Sequence, residues 1–91
     1  MSYKQAPQEV IDLFLEDENP TVRMLAYRRT NRIEALYWAA QNLPRHIRKA
    51  VIANPHCPDS LLLELVSDPD PDVARYARDM QMRRDRDQRS Y

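Results

Sequence analysis

The residues of this chain best equipped for chemistry are few. His56 and Cys57 are neighbours in the run Asn54-Pro55-His56-Cys57-Pro58, and His46 lies ten positions earlier. A cysteine nucleophile needs a base that can take its proton, and residues adjacent in sequence do not face one another on a helix. No such base stands at a recognisable spacing, and Cys57 reads equally well as a small cap-like residue before Pro58. A closed zinc site takes about four ligands, commonly in pairs two to four residues apart. His46, His56 and Cys57 do not have that spacing. The expectation is a protein that is not an enzyme and that holds no metal and no cofactor.

Groups suited to binding are more plentiful. Arg23, Arg28, Arg29 and Arg32 precede the pair Tyr37 and Trp38, and Arg45, His46, Arg48 and Lys49 follow it. Aromatic and arginine side chains are the usual anchors of protein interfaces. Two readings of the basic groups stand side by side. They form a stripe that meets an acidic protein or nucleic-acid phosphates, or a solvated face paired with acids in adjoining turns such as Asp17, Asp68 and Asp70.

The elements that must position these groups are written as a repeat. A shift of 51 places Pro7 on Pro58, Val10 on Leu61, Ile11 on Leu62, Phe14 on Leu65, Leu15 on Val66, Asp17 on Asp68, Pro20 on Pro71, Val22 on Val73 and Ala26 on Ala77. A degenerate middle copy carries Ala35, Leu36, Ala39 and Ala40 on the same stripe and Asn42 at the acidic-turn position. Val22, Ile47 and Val73 are then 25 and 26 residues apart. Such a period means stacked units of two helices, none of which can bury its apolar face alone.

The helix boundaries follow from proline. Pro7 and Pro58 are expected at first helical positions. Asn19-Pro20 and Asp70-Pro71 each read as a cap followed by the start of the second helix of a pair. In the first copy that helix should turn Val22, Leu25 and Ala26 inward and Arg23, Arg28 and Arg29 outward. Asn31 with Glu34 resembles a capping box for the middle copy. Pro55 must end the helix that starts near Ile47. After Val73 a last helix should run past Met80 with Tyr76, Ala77 and Met80 inward.

The pattern Pro-x-x-Leu-Leu-x-x-Leu-Val-x-Asp-Pro-Asp-x-x-Val from Pro58 to Val73, with Ile47-Arg48-Lys49-Ala50-Val51-Ile52-Ala53-Asn54-Pro55 before it, resembles the leucine-rich repeat variant, a short relative of HEAT-like helical repeats. The resemblance covers roughly residues 7–78. It implies an all-α fold, a short right-handed α-solenoid of three helix pairs in which some helices are 3₁₀, and no single activity. An iron-sulfur cluster of the kind associated with some of the family would need several thiolates, and Cys57 is the one cysteine.

Composition agrees. A 91-residue chain without glycine and with seven prolines is poorly suited to hairpins, phosphate loops and left-handed helix caps. The expected domain spans 1–82, with copies at about 7–30, 31–55 and 57–82, Met1 to Ala6 loose apart from a capping role for Tyr3, and 83–91 a polar tail without fixed structure. One cysteine, no signal peptide and no apolar span place it in the cytoplasm. Net charge is zero. It nonetheless alternates along the chain: residues 21–50 carry seven basic groups against one glutamate, and 51–72 carry five acids and no base.

The repeat register also separates surface from core. Tyr37 shares a position with Asp12 and Leu63, and Trp38 with Leu13 and Glu64, so both aromatics are candidates for exposure; the alternative is that Trp38 swings inward to fill volume that Ala35, Ala39 and Ala40 leave empty. The function expected is a small protein-binding regulator or inhibitor, of the sort phages and mobile elements encode. Its contact would use Tyr37, Trp38, Arg45, Arg48, Lys49, Arg23, Arg28 and Arg29. The alternative is a binder of nucleic-acid backbone, weakened by a sequence pI near 6.7. Self-association as a homodimer is a third reading.

Overall fold

Prolines set where the helices begin. A computed structural model describes residues 7–89, Arg89 through its backbone alone, so the role considered for Tyr3 lies outside the described residues. Six helices follow in order: α1 (Gln8–Leu13), α2 (Pro20–Tyr27), α3 (Ile33–Asn42), α4 (Arg45–Ala53), α5 (Asp59–Leu65) and α6 (Pro71–Arg89). No strand occurs among the described residues. Pro20 and Pro71 open α2 and α6, as their spacing requires. The Asn19 side chain accepts from the N–H groups of Thr21 and Val22 at 2.9 and 3.3 Å, and Asp70 accepts from Asp72 and Val73 at 2.9 and 3.4 Å. Pro7, Pro44 and Pro58 sit one step earlier, at the caps of α1, α4 and α5. The capping box expected at Asn31 does not form. Arg32 caps α3 without a side-chain bond, and the Asn31 N–H donates to Gln8 Oε1 at 2.9 Å.

A chain without glycine must end its helices without left-handed residues, and no described residue has a positive φ. Helices α1 and α5 tighten instead into i→i+3 bonds, from Phe14 N to Ile11 O at 3.0 Å and from Ser67 N to Glu64 O at 3.1 Å. The 3₁₀ character implied by the resemblance is confined to such ends, since all six elements are α-helices. Helix α4 stops where Pro55 forbids it to continue, with Asn54 extended at φ −73°, ψ 123°.

Helix α4 is the centre of the packing. It lies against α2, α3 and α6, and α6 also covers α5. The fully buried side chains Leu36, Ile47, Val51, Ile52, Leu62, Val73 and Ala77 come from α3, α4, α5 and α6 and form one cluster. Burial of these side chains contributes about 1.5–3 kcal/mol for each large aliphatic one. The first copy is peripheral by comparison. Val10, Phe14 and Leu25 are exposed although their register places them inward, because Met24 and Tyr27 face the core from α2 in place of Leu25.

The expectation of a structureless tail from residue 83 is corrected. Helix α6 continues through Arg89. Asp79, Arg83 and Asp87 are spaced four apart with alternating charge, which supports an exposed helix, and Arg84 anchors it. The Arg84 guanidinium donates to Cys57 O at 2.7 Å, Asp59 Oδ1 at 2.9 Å and Asn54 O at 3.4 Å.

Asn54 is the polar centre of the molecule. It is completely buried, and its amide donates to the carbonyls of Tyr27 and Thr30 at 2.8 Å each while its Oδ1 accepts from the His56 N–H at 2.8 Å. One side chain thus satisfies the C-terminal end of α2 and the turn after α4. Asn54→Ala would leave two buried carbonyls and the partly buried His56 N–H unmet and should cost about 2–4 kcal/mol in urea unfolding. A change below about 0.5 kcal/mol would show that this link does not hold the two turns together.

Candidate protein-binding surface

The basic groups do not form one free stripe. Arg48 on α4 donates from Nε and Nη2 to the two carboxylate oxygens of Asp68 at 2.9 and 3.1 Å, and from Nη1 to Leu43 O at 2.8 Å. The Asp68 side chain is only 4% exposed. A two-pronged arginine–carboxylate pair of this kind is directional and strong, and it makes Arg48 a strut between copies. Arg45 reaches Asp70 at 3.4 Å and Asp72 at 3.6 Å from a largely exposed position. Slight desolvation raises the Asp70 carboxyl, but the N–H groups of Asp72 and Val73 and the Arg45 guanidinium outweigh it and hold it below the usual carboxylate range. Lys49 borders a shallow depression with Asp72, Arg75, Tyr76 and Asp79. Arg28 and Arg29 are exposed at the end of α2.

The two aromatics of α3 part company. Tyr37 is half-buried, packs against the core and shares a 2.6 Å hydrogen bond between its hydroxyl and Ser60 Oγ. Trp38 is 55% exposed, matching Leu13 and Glu64 at the same repeat position, which are also exposed. The inward alternative for Trp38 is not the one adopted.

Trp38 borders a groove of about 650 Å³ between the first and middle copies. Ala35, Leu43 and Tyr27 give it an apolar floor, and Arg23, Arg32, Glu16 and Glu34 supply charge. Burial raises the Tyr27 hydroxyl; the Arg23 guanidinium pulls it down and Glu16 pushes it up again. Arg23 is half-buried here, and its Nε is buried with no hydrogen-bond partner. The Asp12 carboxylate accepts from the Thr30 hydroxyl at 2.7 Å. Of the groups expected at a contact, Trp38 and Arg23 are brought together in this groove, whereas Arg45, Arg48 and Lys49 lie elsewhere. Glu16 and Leu43 were not singled out by sequence, and Glu34 was read there only as the capping-box partner of Asn31.

The residues first considered for chemistry are dispersed. Among the described residues no group of three or more His, Cys, Asp or Glu side chains is arranged to hold a metal ion. Cys57 is buried, with Sγ 3.7 Å from Pro58 O. Desolvation pushes its thiol up to about 11 from 9.0, the Arg84 charge opposing and Asp59 assisting. A protonated thiol in the core is a small apolar side chain and a poor nucleophile. Because the folded value lies above the unfolded one, its contribution to stability is complete below pH 9.0 and is lost as pH rises through about 11. Alkylation by iodoacetamide at pH 8 should therefore run at least about tenfold slower in the folded chain than in urea. Equal rates would place the thiol at the surface.

Residues 45–70, from the start of α4 through α5 to the cap of α6, match the family model described as leucine rich repeat variant. No curated protein and no solved structure matches the chain. The segment with the completed arginine–aspartate strut and the buried asparagine is thus similar to a leucine rich repeat variant repeat.

Proposed function

We propose that this chain is a non-catalytic module that binds another protein, built as a short right-handed α-solenoid of three helix pairs. Contacts of α4 with α2 and α6, of α3 with α4 and of α5 with α6 support that arrangement, since second helices then neighbour one another in series. Stacked repeats of this kind present extended surfaces suited to macromolecules. The observation that carries the reading is Trp38, more than half exposed on the rim of a groove whose floor is apolar and whose wall holds an arginine. An exposed tryptophan beside a partly desolvated arginine is the usual make-up of an interface hot spot.

The protein partner is preferred over nucleic acid because Arg45 and Arg48 are drawn into pairs with Asp68, Asp70 and Asp72. Those acids would also repel phosphates. A small regulator or inhibitor of a larger protein fits this size, and its buried single thiol suits a reducing cytoplasm. No helix of the described residues is long and apolar enough to cross a membrane.

Affinity capture from a native lysate, read by mass spectrometry, tests the reading. Trp38→Ala should weaken capture about 30-fold or more, as expected for a hot-spot tryptophan. The melting temperature should move by less than about 4 °C, as for a surface substitution. Capture that survives the substitution, or that vanishes on nuclease treatment, would overturn it.

A further inference from the structure

The three copies differ at one pair of positions. Arg23, Arg48 and Ala74 share one repeat position, and Asp17, Asn42 and Asp68 share another. Between the middle and third copies the two positions meet, as Arg48 grips Asp68. Between the first and middle copies they do not. Asp17 and Asp68 each also accept from the N–H two residues on, at 2.9 Å to Asn19 and Asp70. The equivalent residue after Asn42 is Pro44, which has no N–H, and Asn42 turns its amide to Trp38 O at 2.9 Å. Arg23 is thus the counterpart of Arg48 without the carboxylate.

The consequence is visible in the groove. Arg23 Nε is buried and unpartnered, and of the nearby acids Asp12 is bonded to Thr30 while Glu16 and Glu34 line the groove without bonding that Nε. A buried donor with no acceptor is costly, and a carboxylate that docks on the guanidinium as Arg23 turns outward to expose Nε regains a charge-assisted bond.

We propose that Arg23 and Trp38 together form a pocket for an aspartate or glutamate side chain of the partner protein, seated where an Asp68-like residue would sit if the middle copy had one. This rests on the protein-binding reading and names what that surface selects. The apolar floor at Ala35, Leu43 and Tyr27 calls for an aliphatic residue next to the acid. Glu16 and Glu34 at the edge disfavour a run of acids, so one carboxylate flanked by apolar residues is the fitting ligand.

The full chain labelled with ¹⁵N can be titrated with a blocked peptide of leucines around a single aspartate, and with the same peptide carrying asparagine. The aspartate peptide should shift the Arg23 Nε–H and Trp38 indole N–H signals saturably, and the asparagine peptide should bind about tenfold more weakly or not at all. Equal responses, no response, or shifts centred on other arginines would overturn the pocket. Asn42→Asp supplies the missing carboxylate from the chain itself. It should raise the melting temperature by a few degrees and weaken the aspartate peptide about tenfold; unchanged affinity would overturn the assignment. Should a captured protein depend on Trp38 yet bind the Asn42→Asp variant normally, protein binding stands and the carboxylate pocket falls. Should the peptides discriminate while capture ignores Trp38→Ala, the pocket stands and that partner uses another surface.

Discussion

Helices of six to ten residues cannot hide their own ends, and that constraint governs this molecule from α1 to α5. Every helix leaves about four N–H and four C=O groups without intrahelical partners. In a chain with no glycine, none of these can be met by a left-handed cap. Many are met instead by side chains from other elements. Gln8 donates to Arg29 O and accepts from Asn31 N–H, Asn54 closes the end of α2, Arg48 takes Leu43 O, and Arg84 takes Asn54 O and Cys57 O. Some of these bonds join different copies, as Asn54 does at the end of α2, and others close a turn within one, as Arg48 does at Leu43 O, so apolar stacking and polar satisfaction impose the same order on the helices. Agreement between the two is what singles out one arrangement of short helices over its competitors.

The same device underlies the proposed binding surface. Where arginine and aspartate both occur, they close on each other and the surface there is spent on stability. Where the middle copy has Asn42, the arginine stays and its carboxylate does not, which leaves a half-buried cation beside an exposed tryptophan. In the proposed reading, the binding site is a repeat contact left incomplete. The two histidines and the cysteine have no comparable arrangement, and Cys57 serves packing.

Much of this was legible in the sequence, for stated reasons. The shift of 51 paired residues of similar chemistry, and the recurring stripe located much of the core, although Val10 and Phe14 of the first copy are exposed. Asn19-Pro20 and Asp70-Pro71 located helix starts because the cap and the fixed φ act locally. Leu13 and Glu64 at its position made exposure of Trp38 one of two open readings, and it is the one adopted. Burial of Asn54 was not legible, since an asparagine before proline reads as an ordinary turn. Leu25 was misplaced because the slight rotation of α2 that brings Met24 and Tyr27 inward depends on its neighbours. Arg48 was ambiguous: its charge reads the same whether it faces solvent or Asp68. Residues 83–89 looked like a tail because their polarity hid the hold that Arg84 has on the preceding turn.

The central claim is that side chains from one turn hold the next copy in place, and the Arg48 and Asp68 pair tests it most directly. A double-mutant cycle with Arg48→Met and Asp68→Leu, followed by urea unfolding, measures their coupling apart from the loss of either side chain. The account predicts a coupling of about 1.5–3 kcal/mol, as for a hydrogen-bonded charge pair removed from solvent. A coupling below about 0.5 kcal/mol, the value of an exposed ion pair, would contradict it.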